Sequence, residues 1–350
     1  MTVSLGMSIV GISSAVPKNI LNLESLGESY GNRYVKKVSM VTGIHSVRVA
    51  ENGKTAADYC IAAAENLFDK MSYNRSEIDA LVFVSQSPDY MVPHTSAIMQ
   101  HRLGLSNRVA AFDLNYGCPG FVYGLFQAYS LINSGFVNKV LLCCGDTMTN
   151  KINPQDKALR MVMGDGGSAI ILEKSDNVEN VFKFYTDGSR AEKLMVKAGA
   201  ARLPVQIGLT DVVTTDEDGN SRSLENLYMD GIEVMNFALK DVATLINEVL
   251  DSASWNKDMV DKYLFHQANA LIVQYLAKKL GLPVEKTPIG VDGIGNTSSA
   301  SIPVMLCKNY GENRCVDFGK TVICGFGTGL SAVAIAMPVN NVYISELIEI

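Results

Sequence analysis

Apolar residues in this chain gather into short unbroken runs separated by stretches with helical spacing. The runs at 7–12, 78–84, 139–144, 169–172, 263–265, 321–324 and 331–337 lack polar alternation, as in strands buried on both faces. Between them, apolar residues recur every three or four positions. This spacing predicts helices over 24–40, 55–70, 95–103, 119–133, 229–250, from 269 to Leu280, and over 300–308. Thr55-Ala56-Ala57-Asp58 opens the second, Gly135 is placed to stop the fourth, and Gly281 caps the sixth. Alternation of strand and helix predicts the α/β class. The segment 181–226 breaks the pattern: it is polar and irregular, with Asp216 to Asn220 reading as an exposed turn.

The second half echoes the first at an offset of about 180 residues, shortening toward the end of each half. Strand 81–84 with Ser85-Gln86 corresponds to 263–265 with His266-Gln267, and Gly117-Cys118 to Gly295-Asn296. Strand 140–143 corresponds to 321–324, and Gly166 to Ala169 to Gly329 to Ala332. Two pseudo-symmetric α/β halves are therefore expected, 1–176 carrying Cys118 and 177–350 carrying His266 and Asn296. A pseudo-twofold would turn the loops ending in those three residues toward one point.

Composition narrows the function classes. At 350 residues and 47% hydrophobic, the chain can bury a large core. A net charge of −6 argues against a nucleic-acid surface and offers no polybasic membrane patch. The seven cysteines include no C-x-x-C pair, so neither a zinc ribbon nor a disulfide framework is suggested, and a reducing, cytoplasmic setting is expected. No basic stretch precedes the apolar run at 8–12, and no apolar segment is long enough to span a bilayer. No membrane insertion is expected.

The candidate chemistry centres on Asn115-Tyr116-Gly117-Cys118-Pro119-Gly120-Phe121. Gly117 allows a tight turn after the strand ending at Phe112-Asp113-Leu114, and Pro119 suits the first turn of a helix. Cys118 then sits at the positive end of a helix dipole, which favours the thiolate. A buried inert cysteine fits this stretch equally well. His266, ending an apolar strand, and Asn296, between Gly295 and Thr297, have ordinary readings too, as a structural hydrogen-bonder and a turn. Cys143, Cys144 and Cys324 read as core. The loop Gly325-Phe326-Gly327-Thr328-Gly329 lacks the spacing of a nucleotide cradle.

Taken in order, the Cys118 elbow, His266-Gln267-Ala268-Asn269, Gly295-Asn296-Thr297-Ser298 and Gly325 to Gly329 resemble the thiolase-fold condensing enzymes, in particular the β-ketoacyl-acyl-carrier-protein synthase III group. Pro88-Asp89-Tyr90, Gly164-Asp165-Gly166, Thr186-Asp187-Gly188-Ser189 and Met229-Asp230-Gly231 match as well, so the resemblance covers nearly the whole chain. It implies a layered αβαβα core and a Claisen condensation in two steps. Cys118 would hold an acyl group as a thioester. His266 and Asn296 would donate to the enolate formed from malonyl-acyl carrier protein, and the backbone N–H groups of Cys118 and Thr328 would hold the other oxyanion. It further implies a homodimer, with Val92 lining the partner's acyl pocket, acyl carrier protein as partner, and no metal or organic cofactor.

The sequence departs from the family where its initiating enzymes grip coenzyme A between a Trp and an Arg. The matching positions hold Lys37 and Lys157, and Val41 and Leu271 stand where basic residues are common. Lysine offers no flat stacking surface. Weakened docking of acyl-coenzyme A is expected, with Lys36, Lys37 and Lys157 as candidate carrier or phosphate contacts and the primer delivered on a carrier protein. Two alternatives stand beside the condensing reading: an acyltransferase passing the Cys118 acyl group to a hydroxyl or amine, and a catalytically silent partner subunit.

Overall fold

The computed structural model describes residues 5–176 and 178–350. The first sheet contains β1 (Leu5–Val16), β2 (Ala80–Val84), β3 (Ala110–Leu114), β4 (Lys139–Asp146) and β5 (Gly166–Asp176), in the order β1-β5-β4-β2-β3. The second contains β6 (Val181–Thr186), β7 (Lys262–Phe265), β8 (Gly319–Gly327) and β9 (Ser331–Val339), in the order β6-β9-β8-β7. Strand directions repeat as well. β2 runs parallel to β4 as β7 does to β8, and β4–β5 and β5–β1 are antiparallel like β8–β9 and β9–β6. Short strands from the second half, Val342–Ile344 and Ile348–Glu349, cross back to pair with β1. The expected boundary between 1–176 and 177–350 falls at residue 177, outside the described residues.

Helices fill three layers around the two sheets. Helix α1 (Asn32–Thr42) lies apart from these layers, at the edge of the second half. The outer face of the first sheet is covered by α2 (Ala56–Lys70), whose Tyr59, Cys60, Ala63, Ala64 and Leu67 are buried against β1, β4 and β5. Thr55 and Asp58 close its first turn with a capping box, satisfying backbone N–H groups that the helix cannot pair itself. The middle layer is α3 (Gly120–Asn133), with Val122, Leu125 and Ile132 in a core shared by both sheets. The outer face of the second sheet carries α4 (Ala243–Ser252) and α5 (Ala270–Leu280), and α6 (Ser301–Tyr310) joins α3 in the middle.

Most predicted elements appear with shifted ends. The helix expected over 24–40 is interrupted at Gly31, whose φ of +90° no helix accommodates, and α1 follows it. The helix expected over 229–250 begins at Gly231, capped by Asp230, and continues through a π turn at Ala238–Val242 into α4. β6 was hidden in the segment read as irregular. Its register puts Phe182 and Phe184 opposite Ile335 and Val333, with only one partner strand. A half-buried edge strand of mixed polarity carries little pattern. Cys143, Cys144 and Cys324 lie in the core as expected.

Candidate active site

Three loops from the two halves meet around Cys118. It immediately precedes α3, on the turn after β3. A side chain on Gly117 would collide with Gln86, and one on Gly327 would place its Cβ 2.5 Å from the Cys118 Cβ and 3.2 Å from Sγ. Only glycine allows this close approach between the Cys118 elbow and the end of β8. Cys118 Sγ lies 3.9 Å from Ser298 Oγ, two residues beyond Asn296.

Cys118 is half-buried. The helix behind it was expected to favour the thiolate, but desolvation is the larger influence and pushes the thiol above its ordinary range. The negative charge of Asp146 pushes the same way, while Ser298 and Asn296 pull it back by hydrogen bonding. The resting nucleophile is therefore the thiol.

His266 follows β7 and is buried, with its ring edge-on to Phe326 at 5.4 Å. Its Nδ1 lies 2.6 Å from Ser301 Oγ, which also accepts the Gln267 N–H at 3.3 Å. With the serine proton donated to Nδ1, the neutral ring carries its hydrogen on Nε2, where it can act as a donor. Gln267 acts structurally: its amide donates to the Phe265 carbonyl and accepts the Gly290 N–H. Asn269 caps α5. Burial lowers the His266 pKa to about 3, so the ring is neutral near physiological pH.

This depressed pKa has two consequences. A group held neutral in the fold contributes stability above its unfolded pKa of 6.5, lost as pH falls from there toward about 3 at up to about 1.4 kcal/mol per pH unit. Between those limits the His266 contribution to activity should not titrate, so a rate profile through pH 6.5 is expected to show no histidine step. A step of one proton centred there would contradict the assignment.

Asn296 is held at both ends of its peptide. Its N–H donates to the Val162 carbonyl at 2.8 Å, and its carbonyl accepts the Gly164 N–H at 3.0 Å. Its side-chain Oδ1 accepts the Ser298 N–H at 2.9 Å, so Nδ2 is the donor that faces the Cys118 thiol. Thr328 follows Gly327, and its hydroxyl lies 3.5 Å from Gln86 Nε2. Val92 is 81% exposed on the loop after β2. Lys36 and Lys37 are exposed on α1. The ammonium of Lys157 instead lies 4.9 Å over the Tyr34 ring, beneath the turn at Gly219.

The structure thus gathers Cys118, Asn296 and the Gly327-Thr328 loop, sets His266 against Phe326 of that loop's strand, and leaves Val92 and the three lysines outside. Sequence reasoning missed Ser298, Ser301, Gln86 and Asp146. A charged residue ending an otherwise apolar strand was the available signal for Asp146.

The sequence model described as 3-Oxoacyl-[acyl-carrier-protein (ACP)] synthase III matches residues 112–188, and its C-terminal counterpart matches residues 250–339. A β-ketoacyl-[acyl-carrier-protein] synthase III of Streptococcus agalactiae is 33% identical over 298 residues, covering 84% of this chain and 87% of that protein. The chain belongs to the β-ketoacyl-[acyl-carrier-protein] synthase III family. A member from Symbiobacterium thermophilum is 30% identical over 334 residues, covering 95% and 97%. The crystal structure of a 3-oxoacyl-(acyl-carrier protein) synthase from Burkholderia xenovorans superposes with a TM-score of 0.90 at 34% identity, covering 99% of this chain and 97% of that one. The two-sheet, five-layer arrangement is accordingly the thiolase-like fold of this family.

Proposed function

We infer that this protein is a condensing enzyme that initiates acyl chains, with Cys118 as nucleophile and His266 and Asn296 as donors to the enolate. The reading is supported by Cys118 at a glycine-lined elbow in hydrogen-bonding reach of Asn296, with buried His266 edge-on to Phe326 of the adjoining strand. In the first step Cys118 Sγ attacks an acyl thioester carbonyl, a new C–S bond forms, and the donor thiol leaves with the proton. The backbone N–H groups of Cys118 and Thr328 hold the passing oxyanion. In the second step the C–CO₂ bond of malonyl-acyl carrier protein breaks. Its electron pair becomes an enolate on the thioester oxygen, held by His266 Nε2–H and Asn296 Nδ2–H. The enolate carbon attacks the acyl carbonyl and Cys118 sulfur departs, leaving a β-ketoacyl thioester. The chemistry needs no metal or organic cofactor. Labelled malonyl-acyl carrier protein should give labelled CO₂ and ketoacyl product in equal amounts. Acyl transfer to a hydroxyl or amine without CO₂ would instead establish the acyltransferase alternative. The silent-partner alternative gives no reason for keeping all three side chains.

The primer arrives on a carrier protein. Lys157, at one of the expected coenzyme A contacts, has its ammonium occupied by Tyr34. The Asp216 to Asn220 turn is fastened over the same segment, with Ala158 N–H donating to Asn220 Oδ1 and Arg222 paired with buried Asp156 at 2.8 Å. Its acidic residues disfavour a nucleotide's phosphates there. Lys36 and Lys37 remain available to an acidic carrier. The ratio kcat/KM is expected to be higher for acyl-carrier protein than for the same acyl group on coenzyme A; the reverse order would overturn this.

The working form is a homodimer in the cytoplasm. β3 leaves an open sheet edge, and Tyr90, Met91 and Val92 are 63%, 85% and 81% exposed nearby in sequence. Such an edge calls for a cover. In that arrangement Val92 reaches the partner's acyl pocket, where it leaves more room than an aromatic side chain. Sedimentation at the mass of a single 37.9 kDa chain would contradict the dimer. Free cysteines throughout the described residues fit a reducing compartment, which cell fractionation checks.

A further inference from the structure

Asp146 ends β4, is fully buried, and has no role in the steps above. Its two oxygens serve different loops. Oδ1 accepts from Gln86 N–H at 2.7 Å, Ser85 Oγ at 3.2 Å and Ser87 Oγ at 3.4 Å, all after β2. Oδ2 accepts from Ser299 N–H at 3.2 Å and Ser299 Oγ at 2.9 Å, in the loop that follows Asn296. We infer that Asp146 is a positioning residue that sets both oxyanion sites at once, one through each carboxylate oxygen. This rests on the condensing reading above.

On the Oδ2 side, holding Ser299 fixes its neighbour Ser298, which has a φ of +52°, a left-handed conformation uncommon for a residue other than glycine. In that conformation the Ser298 N–H reaches Asn296 Oδ1 and leaves Nδ2 to face Cys118. On the Oδ1 side, holding Gln86 sets the side chain that packs against Gly117 and reaches toward Thr328. The two backbone N–H groups assigned to the acyl oxyanion belong to Cys118 and Thr328. One carboxylate therefore couples loops from both halves of the molecule.

A role as the base for Cys118 fits less well. Burial holds the Asp146 pKa above the ordinary carboxylate range despite the surrounding donors, but those donors occupy both oxygens. Such a carboxylate is an anchor rather than a proton acceptor. Its charge also opposes ionisation of Cys118, a cost that positioning has to outweigh. Asparagine cannot replace it: turning its amide NH₂ toward either loop sets donor against donor, so one arm must release.

The test uses full-length protein, malonyl-acyl carrier protein for decarboxylation, an acyl-thioester for loading, and iodoacetamide for the thiol. Asp146→Asn is expected to slow decarboxylation about 100-fold, the scale for a misplacement of about 1 Å. It should also move the pH midpoint of Cys118 alkylation downward, because the anion is gone. Ser299→Ala, which keeps the N–H link, should slow decarboxylation about tenfold and leave that midpoint in place. Decarboxylation within about threefold of the parent in Asp146→Asn would overturn the proposal. So would a large loss with an unmoved alkylation midpoint, which marks structural damage alone. If Asp146→Asn does not fold, an unchanged rate in Ser299→Ala overturns it. Failure of the parent protein to decarboxylate would count against the condensing reading instead.

Discussion

Cys118→Ala is expected to leave a folded protein that no acyl donor can load. Removing one sulfur atom from this small side chain should cost only about 1 kcal/mol of stability, the usual scale for a single substitution. The chemical effect should be near total, because the thioester requires the thiol: Ser298 Oγ, 3.9 Å from Sγ, could form only an oxygen ester. The enolate site is separate from the nucleophile. Slow release of CO₂ from malonyl-acyl carrier protein should therefore survive in this variant while ketoacyl product disappears. Intact mass and CO₂ release, measured on the same sample, check both halves. Loading that persists without Cys118 would remove it from the mechanism.

Asn296→Ala should show the converse. It removes one of two donors to the enolate and should slow decarboxylation by about 10²–10³-fold, equivalent to about 2.7–4 kcal/mol of barrier. Loading of Cys118 should slow far less than decarboxylation: the thiol loses the Asn296 hydrogen bond, but its oxyanion is held by backbone N–H groups. The Asn296 backbone bonds to Val162 and Gly164 do not involve the side chain, so the loop keeps its main anchorage. Single-turnover measurement of loading and of CO₂ release separates the steps. Equal losses in both would mean that Asn296 shapes the whole site rather than the second step.

The pattern of the chain revealed most of the fold because its central strands are buried on both faces. Runs such as Leu81 to Val84 and Leu141 to Cys144 contain no polar residue to obscure them, and every one of these residues is buried. The duplication was legible for the same reason, since the corresponding strands repeat in order and direction. β6 was not, because an edge strand with alternating half-burial and a lysine at 183 looks like loop. Gly31 and the π turn at Ala238–Val242 changed helix boundaries that apolar spacing could not resolve.

At the site, the residues named in sequence were those with a motif around them. What escaped were the residues that hold them. Ser301 and Asp146 act across 35 and 153 positions of sequence, on His266 and Ser299 respectively, and no local pattern encodes such partners. The helix N-terminus behind Cys118 was visible in the sequence, but the desolvation that outweighs it at the thiol was not, because burial depends on the tertiary fold.

The central claim is that Cys118 carries an acyl group that malonyl-acyl carrier protein then takes up. Intact-mass spectrometry tests it most directly, using a panel of acyl-coenzyme A and acyl-carrier-protein thioesters, a Cys118→Ala control, and a chase with malonyl-acyl carrier protein. The expected result is a mass gain that requires Cys118, is greatest with a carrier-borne primer, and vanishes in the chase as CO₂ and a ketoacyl thioester form. A Cys118-dependent gain that the chase cannot discharge, or no gain with any donor, would contradict it.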